Sequence, residues 1–204
     1  KGGTLNTRWY PLDFSHCELS GAIDAVGGAS ADLVERSAAS EERLKALSEA
    51  GQLAQYDTLL FSSHGQFSID EPLMSGLILQ KTGDGTHVDK DGMFTLGDWA
   101  RLRLRSALVV LSGCNTARGE VVPGDGIMGM PTALIAAGNA NTIGSLWSID
   151  DEGSAAFVRA FFSNYVQSKS AANALWQTKK YFLTHPNPAY RNPSVWAAFV
   201  LFGV

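Results

Sequence analysis

The chain has 204 residues, 45% hydrophobic and 18% charged, with a formal net charge of -4 and a pI near 5.5. That length supports one domain burying about 70% of the surface its unfolded chain would expose, so neither disulfides nor a metal are needed to hold a core. The acidic balance argues against a nucleic-acid or anionic-membrane surface as the main partner, and no apolar run reaches the ~20 residues of a membrane span.

Two cysteines, Cys17 and Cys114, are too few for a disulfide framework and point to a reducing, cytoplasmic home. No signal-peptide pattern opens the chain. It starts at Lys1 without a Met, which reads as a processed piece of something longer.

Residues 1–17 show little periodicity and read as an arm or a poorly specified first strand. Small and apolar residues over 18–26 predict a short helix closed by Gly27-Gly28. Asp32-Leu33-Val34 reads as a brief strand. Ser40 caps a helix with Glu41 and Glu42 in its first turn and Leu44 and Leu47 on its apolar stripe. Gly51 ends that helix. The apolar run Tyr56-Asp57-Thr58-Leu59-Leu60-Phe61-Ser62-Ser63 is then a strand, followed at once by His64-Gly65.

Residues 66–75 read as a loop and 76–80 as a strand, with a turn at Gly83-Asp84-Gly85. Thr95 and Asp98 form a capping-box pair for a helix from Leu96 to about Leu102. Arg101, Arg103 and Arg105 then make a solvated turn. Leu108-Val109-Val110-Leu111-Ser112 carries no polar interruption until its end, as expected of a strand buried on both faces of a parallel sheet. Gly113-Cys114-Asn115-Thr116 follows directly.

Residues 119–129 read as a glycine-rich loop, and Pro131 suits the first turn of a helix ending at Gly138. Residues 140–147 form the next buried strand. Asp150, Asp151 and Glu152 crowd the start of a long helix with Val158, Phe161, Phe162 and Tyr165 on one stripe. Ser170 caps another helix, with Leu175, Thr178 and Phe182 on one face. Pro186, Pro188 and Pro193 lead to a last strand over 195–202. Strand and helix alternate from residue 30 onward, so the expected fold is α/β: a mostly parallel central sheet with helices on both faces.

Ligands bind such sheets in the crevice outside the carboxyl ends of the strands. His64 and Cys114 each follow a strand end there. Either residue alone is more often an inert core side chain. Together they make the constellation a thiol nucleophile needs, with an imidazole to take its proton and stabilise the thiolate.

Asp150 and Asp151 follow the neighbouring strand on the same rim. Helix capping accounts for them, and a pocket for a basic side chain is the minority reading. His16-Cys17-Glu18 sets three candidate metal ligands side by side, but adjacent residues do not share a face. His87, Asp89 and Asp91 match an EF-hand loop poorly. No glycine-rich segment ends in the Gly-Lys-Ser/Thr of a P-loop, and His185 reads as a surface residue. Neither metal nor cofactor is expected.

These residues give the chain a resemblance to the CHAT domain, the caspase-like peptidase module often joined to tetratricopeptide repeats. It rests on 56–65, on Ser75-Gly76-Leu77-Ile78-Leu79, on 108–116 and on Ala137-Gly138. Ser145-Leu146-Trp147-Ser148-Ile149-Asp150-Asp151 and Trp196-Ala197-Ala198-Phe199 through Gly203 complete it.

The resemblance implies a caspase-hemoglobinase three-layer sandwich over 18–204, with 1–17 as an arm or the remnant of an upstream region. It implies a cysteine endopeptidase with His64 and Cys114 as the catalytic pair. The oxyanion would be held by the backbone at Gly65 and at Gly113-Cys114, through the Gly65 and Cys114 N–H groups. Substrate-binding residues would be Trp147, Ser148, Asp150 and Asp151. The partners implied are a protein or peptide substrate and an upstream repeat region or partner that regulates the domain. The rival reading is a catalytically silent scaffold of the same fold.

Overall fold

The computed structural model describes residues 9–28, 31–82, 91–122 and 126–203. At its centre is β5 (Leu108–Ser112), with every residue buried, as its unbroken apolar sequence requires. β1 (Thr58–Ser62) and β8 (Asn141–Ser145) flank it in parallel, and β9 (Phe199–Gly203) closes the order β1-β5-β8-β9 antiparallel to β8. The three parallel strands therefore end on one edge, with Ser62 opposite Ser112.

The two-residue period of a strand sorts the apolar side chains into two layers. Val109 and Leu111 face one core with α2 (Glu41–Glu49), α3 (Leu96–Arg101) and α4 (Met130–Ala136). Trp99 sits at its centre, edge-on to both Phe61 and Phe94. Leu108 and Val110 face the other core with α1 (Ser15–Val26), α5 (Asp151–Ser168), α6 (Ala171–Leu183) and α7 (Pro193–Trp196). There Phe157 stacks on Phe199 with ring centroids 4.1 Å apart. A mostly parallel sheet between two helical layers is the arrangement expected.

Capping was read correctly at three helices. Ser40 Oγ accepts from Arg43 N–H, Thr95 and Asp98 form a reciprocal capping box, and Ser170 Oγ accepts from Asn173 N–H. Several expectations need correction. α1 begins three residues early, at Ser15, and residues 32–34 form no strand, having no neighbour to pair with. The glycine-rich stretch pairs β6 (Gly119–Val122) antiparallel with β7 (Gly126–Gly129); the terminal glycines hid the alternation of Glu120-Val121 and Ile127-Met128.

A second small sheet joins β2 (Gly65–Gln66), β3 (Gly76–Ile78) and β4 (Met93–Thr95), and β4 was not foreseen. Val195 lies in α7, which Asn192 caps by accepting from Ser194 N–H and Pro193 opens, so the last strand starts only at Phe199. The expected turn at 83–85, and His87 and Asp89, lie outside the described residues. No helix among the described residues is long and apolar enough to cross a membrane.

Candidate active site

The ends of β1 and β5 meet closely because two positions lack a side chain. A Cβ at Gly113 would run into the Ser63 carbonyl oxygen, and one at Gly65 into the Cys114 carbonyl oxygen. With both absent, the Ser63 N–H donates to the Ser112 carbonyl at 3.1 Å, one residue beyond the strands' paired register. The chain then turns over 113–117, with Asn115 in the left-handed region at φ 59°. Asn tolerates that conformation better than most residues.

The neighbouring strand pins this turn. Thr116 Oγ1 donates to the Leu111 carbonyl at 3.1 Å and accepts from the Ser145 N–H at 2.9 Å. The Ala117 N–H donates to the Ser145 carbonyl at 2.9 Å, and Ser145 Oγ donates to the Gly113 carbonyl. Cys114 therefore rides on a turn fixed from both sides, half-buried, while Cys17 on α1 is exposed.

His64 and Cys114 line one cavity of about 60 Å³ at this sheet edge, together with Glu18, Ser112, Asp151 and Ser154. No hydrogen bond joins imidazole to thiol in this arrangement. His64 is held instead by the segment before α1. The Trp9 ring lies 5.0 Å from the imidazole, centroid to centroid, and the Tyr10 carbonyl accepts from His64 Nε2 at 2.6 Å. With that proton on Nε2, Nδ1 is the basic nitrogen of the neutral ring. The Cys114 N–H has no hydrogen-bond partner among the described residues.

In sequence Glu18 is weighed only as a metal ligand beside His16 and Cys17, yet it is the most unusual group of the site. It is 1% exposed, and its Oε2 accepts from Ser112 Oγ at 2.9 Å. Ser112 Oγ in turn contacts Ser154 Oγ at 2.8 Å. The second oxygen, Oε1, is buried with no hydrogen-bond partner among the described residues. Burial raises the carboxyl to about 7, against the pull of the Ser112, Ser62 and Ser154 hydroxyls, and the Asp151 charge pushes it the same way as burial. A signal was present: Glu18 lies in phase with Ala22 and Ala25, the residues that α1 turns toward the core.

Of the four residues expected to bind substrate, Asp151 alone lines this cavity, and its Oδ2 accepts from the Phe14 N–H at 2.7 Å. Asp150 is the N-cap of α5, accepting from the Gly153 N–H at 2.7 Å. Trp147 is half-exposed with its indole N–H donating to the Ser194 carbonyl at 2.9 Å, and Ser148 is exposed beside it. Ile149 completes an apolar wall with Leu12.

His16 points outward to Glu35, and His185 accepts from the Asn187 N–H at the surface. Among the described residues no three His, Cys, Asp or Glu side chains gather as metal ligands would. A larger groove of about 630 Å³ between α5 and α6 contains no thiol and does not reach the sheet edge.

Three parallel strands ending on one edge, a glycine-enabled contact between their turns and a half-buried thiol beside an imidazole are the features against which the comparisons with known proteins stand. The sequence model of the family described as CHAT domain matches residues 4–204. Tetratricopeptide repeat protein 28 of Mus musculus is 34% identical over 111 residues, which is 54% of this chain and 4% of that protein. Its namesake from Homo sapiens is 32% identical over the same share of each chain. The chain thus spans only a small fraction of the curated relatives it matches. By the family match across nearly its whole length, and by a fold that agrees with it, this chain belongs to the CHAT domain family, whose architecture is caspase-like.

Proposed function

We propose that this domain is a cysteine endopeptidase with Cys114 as nucleophile and His64 as its base. The observation that carries the reading is that both line one cavity at the carboxyl edge of two adjacent parallel strands. His64 takes the Cys114 proton, and the thiolate adds to the carbonyl carbon of a scissile peptide bond. The resulting oxyanion is received by the Cys114 N–H and, by family resemblance, the Gly65 N–H. The C–N bond breaks as the imidazolium gives its proton to the leaving amine, leaving a thioester. Water, deprotonated by His64, adds to that thioester and releases a carboxylic acid and the thiol. No cofactor takes part.

In this arrangement Trp9 and the Tyr10 carbonyl occupy His64. Substrate entry therefore displaces the segment before α1, and a repeat region or partner protein is the regulator that would move it. The same contacts favour a second reading, a silent scaffold in which the segment stays in place. Cleavage of an unfolded protein substrate by the complete protein, and by its Cys114→Ala form, decides between them. Cleavage lost with the thiol supports the peptidase. Cleavage that persists without Cys114 removes the assignment, and an inert wild type under every partner condition leaves the scaffold.

A further inference from the structure

We propose that the groove between α5 and α6 is a docking site for an acidic peptide segment of a partner protein, one with carboxylates on both sides of an apolar side chain. The groove shares no residue with the Cys114 cavity, so the proposal stands apart from the reading of that thiol.

The charge of the groove runs against that of the chain. The chain carries a net charge of -4, yet no Asp or Glu lines the groove, while Arg159 of α5, Lys180 of α6 and His185 just beyond α6 do. Neither Arg159 nor Lys180 pairs with a carboxylate among the described residues. Lys180 lies instead over the exposed Trp176 ring, 5.1 Å from its centroid. The Glu152 carboxylate is engaged by the Tyr190 hydroxyl at 2.9 Å. Charges of one sign without an internal counter-charge favour an anionic ligand.

Arg159 is also held in place. Its methylene stem packs against Gly21 of α1, where a Cβ would come within 3.0 Å of the Arg159 Cδ. A stem packed in this way loses less rotamer freedom when its guanidinium meets a carboxylate.

The rest of the lining fits a peptide. Ala156 and Ala160 are small, and Tyr181 and Phe182 are aromatic, a combination that receives one bulky apolar side chain. At one end the Asn164 amide donates to Thr178 Oγ1 at 3.0 Å. At the other the His185 ring stands 5.0 Å from Tyr181 and 4.9 Å from Tyr190, centroid to centroid. His185 Nδ1 accepts from the Asn187 N–H at 3.0 Å, so the neutral ring carries its proton on Nε2 and offers a donor. Gln177 adds an amide, donor and acceptor together, as a peptide backbone requires. From Ala156 to Asn164 the helix advances roughly 12 Å, the span of about four extended residues.

A phosphate ligand fits less well. α5 and α6 begin at Asp151 and Ala171, outside the lining, so neither points its N-terminus into the groove. A nucleic acid would in addition meet the net negative field of the whole chain.

The test measures binding of fluorescein-labelled peptides to the complete protein by fluorescence polarisation. One set places Asp or Glu on both sides of Leu, Phe or Tyr, and the control set carries Asn or Gln in place of each acid. The acidic set should bind about 5- to 25-fold tighter than its neutral counterparts, and the difference should shrink as salt is raised. Arg159→Gln and Lys180→Gln, both exposed positions, should each weaken the acidic peptides by about 2- to 5-fold, the range of exposed ion pairs. Together they should remove the preference over the neutral set. Cys114→Ala should bind as wild type does, so this result and the assignment of the nucleophile can fail separately.

No binding by any acidic peptide at millimolar concentration, equal binding of the neutral set, or affinities untouched by both substitutions each overturn the proposal. Tighter binding of inorganic phosphate or of an oligothymidylate, read by competition, overturns it in favour of a phosphate ligand. Self-association of the protein alone, seen by sedimentation and lost in the double substitution, would place a second copy in the groove and overturn it likewise.

Discussion

Replacing Glu18 with glutamine should make the folded protein more stable, and increasingly so as the pH rises. The carboxyl is raised from an ordinary 4.5 to about 7 because it is enclosed. Below the lower value both folded and unfolded chains carry the proton, and the group costs nothing on ionisation. Between the two values the unfolded chain releases its proton while the folded chain keeps it, so stability falls as pH rises. Above about 7 the folded carboxyl is ionised in its enclosure, and the full loss of roughly 3 kcal/mol has accumulated. Glutamine fills the same volume and still accepts from Ser112 without ionising. Urea unfolding of wild type and Glu18→Gln at about pH 4 and about pH 8 measures the difference directly. The variant should gain roughly 2–3 kcal/mol over wild type between the two conditions. Groups that do not interact with Glu18, such as Glu41, whose carboxyl burial also raises, cancel in the comparison. A gain unchanged within about 0.5 kcal/mol across that range would refute the burial argument.

The other predictions concern the machinery around Cys114. Trp9→Ala should raise the alkylation rate of Cys114 by about 2- to 10-fold, the worth of one aromatic contact, because Trp9 helps hold the imidazole against the Tyr10 carbonyl. An unchanged or slower rate, read by intact mass, would mean that segment does not restrain the site. Gly65→Ala should destabilise the fold by about 1–3 kcal/mol in urea unfolding, since its methyl meets the Cys114 carbonyl; a neutral effect would contradict the close approach of the two turns. Thr116→Val keeps the shape but leaves the Ser145 N–H without its acceptor. It should cost about 1–3 kcal/mol and slow Cys114 alkylation, whereas a lost stability with an unaltered rate would show that the turn does not position the thiol.

The sheet was legible because its strands are buried on both faces and say so in composition. Leu108 to Leu111 has no polar residue to confuse the period, and the pairing of β1, β5 and β8 follows from alternating strands and helices. Capping residues were legible for a similar reason: Ser40, Thr95 and Ser170 act on backbone groups three residues away, so their role is local. What was not legible was non-local or masked by glycine. Gly119 and Gly129 looked like loop residues, and only their pairing across the hairpin makes them strand ends. Residues 32–34 have strand composition, but a strand exists only where a neighbour offers a ladder.

The site divides along the same line. His64 and Cys114 could be found because each follows its own strand, and a strand end is visible in one dimension. Glu18 could not be found that way, since nothing near it in sequence tells of Ser112 or Ser154, which are brought to it only when α1 packs beside α5 over the sheet. The helical phase did place it among the inward residues with Ala22. A charged residue on an apolar stripe is ordinarily discounted as a surface residue drawn at the boundary. Its phase deserved more weight than its charge, because a carboxyl on the buried side of a helix must either meet a cation, be neutralised, or destabilise the fold. Here no cation meets it among the described residues, and its enclosure raises the carboxyl to about 7, so that it is neutralised in part near neutral pH at a cost to stability.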